Sequence, residues 1–267
     1  MTNETIALLC LSIGWNNKGG SVLLLILLVP SFILNIRAIK QLLAKNFHSE
    51  MIVILAGQVM TIIGRSLQLI IFLASVETCK SLYGTYVVER SGSVVSVCTL
   101  VILTAKNVYM ATKRDPEGYD FRSSYMTCCC VLYVVVGVGL ICLQFVVHSQ
   151  YMILFHVVYH ASLLVISALN CFQASHIQRK IRVYEQILPG GNIFAFKVDT
   201  TLIGKVACLM VCFEMYYLVL QCLFIECVDE NRSTYCNTGK WMRLIYYILF
   251  LLLPTFLTVK VRGGNLN

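Results

Sequence analysis

His156 and His160 stand four residues apart inside an apolar stretch, and Arg65 and Glu214 sit within two others. These side chains can bind, pair or hold protons where their neighbours cannot. The four-residue step places both histidines on one face of a helix. HxxxH on a helix can bind zinc, yet a catalytic zinc needs a third protein ligand and an open position. The other histidine at hand, His148, falls in a connecting turn, and no later apolar stretch supplies a second His/Asp cluster. Hydrogen-bonded histidines within a bundle are therefore expected, with pocket lining as the alternative, and neither a metal nor another cofactor is expected.

Arg65 and Glu214 raise a different question. A charge at the centre of a bilayer costs about 2.5–3.5 kcal/mol on insertion scales, so it turns toward the bundle interior. Arg65 lies about 21 Å along its stretch at 1.5 Å per residue; Glu214 lies near the middle of its own. The two charges either pair across the bundle or line a cavity where they meet a polar ligand group. Tyr216, Tyr217, Tyr246, Tyr247 and Trp241 crowd the outer halves of the last two stretches. Such aromatics are commonly interfacial belt residues, although some should face a cavity between helices. The candidate cavity set is Arg65, His156, His160, Glu214, Tyr216, Tyr217 and Tyr246.

The elements that must carry these residues follow from composition. The chain has 267 residues, of which 58% are hydrophobic and 13% charged, with a mean hydropathy of +0.77. Soluble domains carry about 45–50% apolar and about 25% charged residues, which excludes a soluble monomer and a nucleic-acid-binding module. Disorder is excluded by the same numbers, since its signature is low hydrophobicity. A span needs roughly 20 apolar residues. Apolar blocks run over 20–39, 51–75, 91–112, 125–147, 151–172, 206–226 and 241–259. The tract from Tyr125 to Phe172 is too long for one helix and divides at His148-Ser149-Gln150. Glu89-Arg90 sits against the outer border of the third block. Backbone groups in lipid must be satisfied internally, so these blocks are helices. The expected architecture is an all-α membrane protein, one domain over 1–267, built as a seven-transmembrane bundle. Pro254 should kink the seventh span by removing a backbone donor.

Lys and Arg fix the expected orientation. With the N-terminus outside, the inner side holds Arg37, Lys40, Lys45, Lys106, Lys113, Arg114, Arg122, Arg179, Lys180, Arg182, Lys197, Lys205, Lys260 and Arg262. The outer side holds Lys18, Lys80, Arg90, Arg232, Lys240 and Arg243. That asymmetry satisfies the positive-inside rule for a cytoplasmic C-terminus. The net charge of +8 is then a face apposed to anionic lipid, and no nucleic-acid partner is needed to explain it. Sequons at Asn3 and Asn231 both fall outside and are candidate glycosylation sites. The first residues lack a positive n-region, so no cleaved leader is expected and the first span serves as its own insertion signal.

Of thirteen cysteines, Cys10, Cys79, Cys227 and Cys236 lie outside or at the outer border, where oxidation is permitted. A Cys227–Cys236 bridge, closing one short loop, and a Cys10–Cys79 bridge are one of three possible pairings; free thiols are the alternative. Cys128-Cys129-Cys130 near the inner mouth of the fourth span is open to S-acylation or serves simply as small packing residues.

The connecting segments carry a resemblance. Asn46-Phe47-His48-Ser49-Glu50 followed by Gly64-Arg65 resembles the FHxN…GR pattern of nematode serpentine chemoreceptors, in particular their class a/ab branch. Asn107-Val108-Tyr109-Met110-Ala111-Thr112 with Gly118-Tyr119-Asp120 is similar to that family's ERYIAT…YE segment. Cys79 before the third span and Leu253-Pro254 in the seventh fit as well. The likeness covers roughly residues 20–125, and the rest by topology. Asn107-Val108 stands where the family has Glu-Arg, and the family's YQ…EN segment is reduced to Tyr184-Glu185-Gln186.

The resemblance implies a G-protein-coupled receptor that detects small molecules, in the plasma membrane of sensory neuron cilia, with no enzymatic activity. The segment Asn107, Val108 and Tyr109 would then face a heterotrimeric G protein. Lys106, Lys113, Arg114, Arg179, Lys180 and Arg182 would form a basic rim, or meet lipid headgroups instead. Two other classes compete: an intramembrane seven-helix hydrolase using metal on His156 and His160, and a transporter, although no internal repeat of the kind transporters carry is visible. A retinal protein is excluded because Lys240 and Lys260 lie at the ends of the seventh span.

Overall fold

The computed structural model describes residues 18–44, 49–74, 79–112, 119–143, 150–187, 200–223, 244–249 and 252–254. Among these residues every regular element is helical. In chain order they are α1 (Lys18–Ala44), α2 (Ser49–Leu73), α3 (Cys79–Thr112), α4 (Tyr119–Leu143), α5 (Gln150–Ile187) and α6 (Thr200–Leu223). A shorter apolar helical segment, α7, lies within Leu244–Pro254. Among the described residues, five helices are long and apolar enough to cross a membrane: α1 over Ser21–Ala44, α2 over Glu50–Leu73, α3 over Tyr83–Lys106, α4 over Tyr125–Leu143 and α5 over Leu154–His176. Helices of this kind make the chain a membrane protein. At 1.5 Å per residue α5 is about 57 Å long, well beyond a hydrocarbon core of about 30 Å.

Several helices overrun the expected apolar blocks, α5 as far as Ile187, and one of these differences carries charge into the interior. The third helix starts at Cys79, so Glu89 and Arg90 lie a third of the way along it. Both are buried, Glu89 with 2% of its surface exposed and Arg90 with 9%. Arg90 therefore does not belong with the outer-loop cations. The physical reason is that an adjacent acid and base, set among polar groups of neighbouring helices, can be carried inside a bundle where an isolated charge cannot.

α3 is the centre of the assembly and touches α2, α4, α5 and α6. Its closest partner is α2, and small residues make the approach possible. A Cβ placed on Gly57 would lie 2.8 Å from the carbonyl oxygen of Gly92 and from the amide of Ser96. One on Gly64 would lie 2.5 Å from the Glu89 amide, and one on Gly92 2.5 Å from the Gly57 carbonyl. In lipid no solvent-driven hydrophobic force holds helices together, so such backbone approach and interhelical polar contacts take its place. Thr61 and Thr104 turn their hydroxyls back to the Gly57 and Leu100 carbonyls at 2.9 Å. Neither hydroxyl is left bare.

The main apolar core joins Leu42 of α1, Ile54 and Leu55 of α2, Val97 and Leu100 of α3, Leu163 of α5 and Met210 of α6. A second cluster joins Leu24 and Leu28 of α1 to Ile62 and Leu69 of α2 and Tyr247 of α7. α4 lies at the edge and presents Val131, Leu132, Val135 and Val136 outward.

Candidate functional site

The bundle interior holds a polar layer supplied by five helices. α3 contributes Glu89, Arg90 and Ser93, which the i, i+3 and i, i+4 steps keep on neighbouring positions of one helix face. α2 contributes Arg65 and Gln68, α5 His156 and His160, α6 Glu214, and α7 Tyr246 and Tyr247. All ten are buried.

The layer has two halves. In the first, the Arg65 guanidinium donates to Gln68 Oε1 at 2.9 Å and lies 5.8 Å from the centroid of the Tyr247 ring, within cation–π range. The Tyr247 hydroxyl donates to Glu89 Oε1 at 2.5 Å. Gly64, beside Arg65, closes on the Glu89 backbone, so α2 and α3 deliver their charges at one level.

The second half is built on Glu214. Its Oε1 is in hydrogen-bond contact with Ser93 Oγ and with the Tyr246 hydroxyl at 3.1 Å. Ser93 Oγ and the Tyr246 hydroxyl are themselves 2.5 Å apart. Its other oxygen, Oε2, faces His160 Nδ1 at 3.2 Å. That contact is one of proximity and charge, because neither atom attains hydrogen-bond geometry with any partner. Tyr159 meets the His160 ring edge-on with centroids 5.0 Å apart. Arg90 acts electrostatically on His156, His160 and Tyr246. The T-shaped Tyr246–Tyr247 pair, centroids 6.0 Å apart, joins the two halves.

Of the two alternatives for Arg65 and Glu214, the direct pair is not formed: Glu214 engages His160, Ser93 and Tyr246, while Arg65 engages Gln68 and Tyr247. Similar depth in the membrane does not set which way a side chain points around its helix. Gln68, Glu89, Arg90, Ser93 and Tyr247 belong to the layer and lie outside the expected site set. The signal that could have found Glu89 and Ser93 is the spacing of 89, 93 and 96, a polar stripe at helical period running into an apolar block.

The two histidines have separate duties. His156 Nε2 lies 3.2 Å from the Leu140 carbonyl, and a carbonyl only accepts, so Nε2 carries the hydrogen. Leu140 is in the last turn of α4, where carbonyls lack helical donors. The Tyr83 hydroxyl serves the Cys142 carbonyl in the same turn at 3.0 Å. His156 is thus a cap on α4, and the parallel His156 and His160 rings stand 6.5 Å apart by centroid. Among the described residues no three His, Cys, Asp or Glu side chains gather as a metal site would require. Close by, the Tyr159 hydroxyl donates to the Tyr133 carbonyl at 2.8 Å and lies 3.1 Å from Cys98 Sγ.

The remaining expected site residues scatter. Tyr216 is half-buried, and the Tyr217 side chain lies outside the described residues. Val108 is buried, with 3% of its surface exposed, and so is not presented to a partner. Lys106 is tied to Glu50 at 2.5 Å, joining the Thr112 end of α3 to the Ser49 end of α2. Arg179 is exposed on the distal part of α5. The side chains of Asn107, Tyr109, Lys180, Arg182 and Cys79 lie outside the described residues, as do Lys113, Arg114, Cys10, Cys227, Cys236, Asn3 and Asn231 altogether. Pro254 is buried at the last described helical position; the expected kink falls at the edge of what is described. No protein-family model matches the chain, and no curated protein matches it.

Proposed function

We propose that this chain is a seven-helix chemosensory receptor that answers a small-molecule ligand by shifting between two helix arrangements and passes the change to a heterotrimeric G protein. α6 and α7 supply the sixth and seventh spans, the N-terminus lies outside, and the C-terminus is cytoplasmic in the plasma membrane of sensory cilia. The observation that carries this reading is the buried polar layer, which draws charged and hydroxyl groups from five helices of an otherwise apolar bundle. Ionisable groups at this depth are costly and mark functional positions. A contact network shared by α2, α3, α5, α6 and α7 is also one that a ligand can bias, provided it binds one arrangement better than the other. The excess of Lys and Arg on one side and the resemblance of residues 20–125 to serpentine chemoreceptors support the same reading.

Surface expression of the full chain in cells carrying a calcium or cAMP reporter, exposed to a panel of volatile and water-soluble compounds, tests it. A dose-dependent response to at least one compound, lost in Glu214→Leu at equal surface expression, is the expected result. Silence to the whole panel with surface expression confirmed counts against the reading. The orientation is tested separately by enzymatic deglycosylation of wild type against Asn3→Gln and Asn231→Gln, with a mobility shift expected only where a sequon lies outside.

A further inference from the structure

The hydroxyls around Glu214 hold fewer hydrogens than their contacts require. Three oxygens, Ser93 Oγ, the Tyr246 hydroxyl and Glu214 Oε1, make three mutual contacts. Ser and Tyr hydroxyls hold one hydrogen each, and an ionised carboxylate holds none. Two hydrogens fill two contacts, so the third contact would bring two lone pairs together in a dry interior. One more hydrogen on Glu214 Oε1 closes the ring: the carboxyl donates to Ser93, Ser93 to Tyr246, and Tyr246 back to the carboxyl. A ring of this kind polarises each bond in turn.

The other side of the same carboxyl is equally specific. Glu214 Oε2 and His160 Nδ1 face one another at 3.2 Å, each nine-tenths buried or more and each without a hydrogen-bond partner. With the hydrogen of neutral His160 on Nε2, Nδ1 and Oε2 are two acceptors, close enough that one proton can pass between them once they turn toward each other. We propose that Glu214 is a two-sided proton-binding site: a proton on Oε1 closes the Ser93–Tyr246 ring, and its alternative position lies between Oε2 and His160 Nδ1. The transfer balances within the pair. The carboxyl O–H bond breaks, an N–H bond forms on Nδ1, and the products are a carboxylate and an imidazolium.

The groups facing this site are Glu89, Arg90 and Cys98 on α3, His156 and Tyr159 on α5, and Tyr247 on α7. Ser93 belongs to α3, Glu214 to α6 and Tyr246 to α7, so the position of one proton decides how α7 and α6 are held to α3. With the proton on Oε1 the three helices are stitched by three hydrogen bonds. With it on His160, α5 and α6 are held by an ion pair and one ring contact is lost.

Infrared difference spectroscopy on the full chain in lipid nanodiscs tests the proposal with no ligand or G protein present, so its outcome is independent of the receptor reading. A carbonyl band of a protonated carboxyl should appear in the wild type and vanish in Glu214→Gln. A protonated-carboxyl region unchanged by Glu214→Gln overturns the proposal. Should that variant fail to fold, Tyr246→Phe and Ser93→Ala decide instead. Each removes a hydrogen-bond partner of the carboxyl, so each should shift the band to higher frequency, and a band unmoved by both overturns it.

Discussion

α3 and α4 are both apolar enough to cross a membrane, and α4 is the more apolar of the two, with a mean hydropathy of 2.6 against 1.5. In an aqueous fold the greasier helix would take the centre. Here the order is reversed: 72% of the most apolar stretch of α3 is buried and 17% of that of α4. Lipid is as apolar as leucine and rewards no apolar helix for leaving it, so the helix with polar groups to satisfy goes inside. α3 brings Glu89, Arg90, Ser93 and a close-packing Gly92, and α4 brings valines. What binds α4 to the bundle is correspondingly local: two carbonyls of its last turn are served by Tyr83 and His156, and the Tyr133 carbonyl midway along it by Tyr159.

The sharpest way to break the contrast is to strip the interior of a charge. Arg65→Leu removes the buried cation that holds Gln68 and stands over Tyr247 and leaves the nearby Glu89 less compensated. Loss of one member of a buried charge set costs about 3–5 kcal/mol. Unfolding by SDS titration should show a drop of that order. Val135→Leu on the exposed face of α4 should leave the midpoint within about 0.5 kcal/mol of wild type.

Glycines give the next test. Gly64→Leu forces atoms into the Glu89 backbone, which an added Cβ alone would already approach to 2.5 Å. Overpacking of this kind costs about 1–3 kcal/mol, occasionally more. Gly139 on α4 has nothing within 4 Å of such a Cβ, so Gly139→Leu should be silent in the same titration. Equal effects at the two positions would remove the distinction between a tightly seated helix and a peripheral one.

A smaller effect is expected where α4 is attached. Tyr159→Phe deletes the hydroxyl that donates to the Tyr133 carbonyl. Interhelical hydrogen bonds in membranes average about 0.6 kcal/mol and reach about 1.7. Stability should fall within that range, and amide exchange should quicken in α4 around Tyr133 before it does in α3.

The sequence carried the inside-versus-outside logic only in part. Helices were legible because apolar blocks of span length have one backbone solution in lipid, and Arg65 and Glu214 were legible as charges with nowhere to go but inward. Glu89 and Arg90 were not, because a neighbouring acid and base at the edge of an apolar block look like a connecting segment. Only the arrival of Gly64 and Tyr247 against them shows that they are interior. The partnership of Glu214 with Ser93 and Tyr246 joins residues 121 and 32 positions apart. Pairing at such separation depends on helix rotation, which hydropathy does not encode. His156 and His160 looked equivalent by spacing and differ because one reaches a helix end and the other a carboxylate.

The smallest effect belongs at the end of α3, where the interior gives way to partial exposure. Lys106 and Glu50 pair at 2.5 Å with side chains 16% and 22% exposed. Water and salt reach such a pair, and partly exposed ion pairs contribute about 0.2–1 kcal/mol. Lys106→Ala should therefore cost less than Tyr159→Phe in its upper range, and its cost should shrink further in high salt. The Arg65→Leu penalty, set in a layer that salt does not enter, should hold constant across the same series. A Lys106→Ala effect as large and as salt-insensitive as that of Arg65→Leu would mean that the polar layer extends along α3 to its last turns, and that the boundary between its interior and its exposed end lies further out than Lys106.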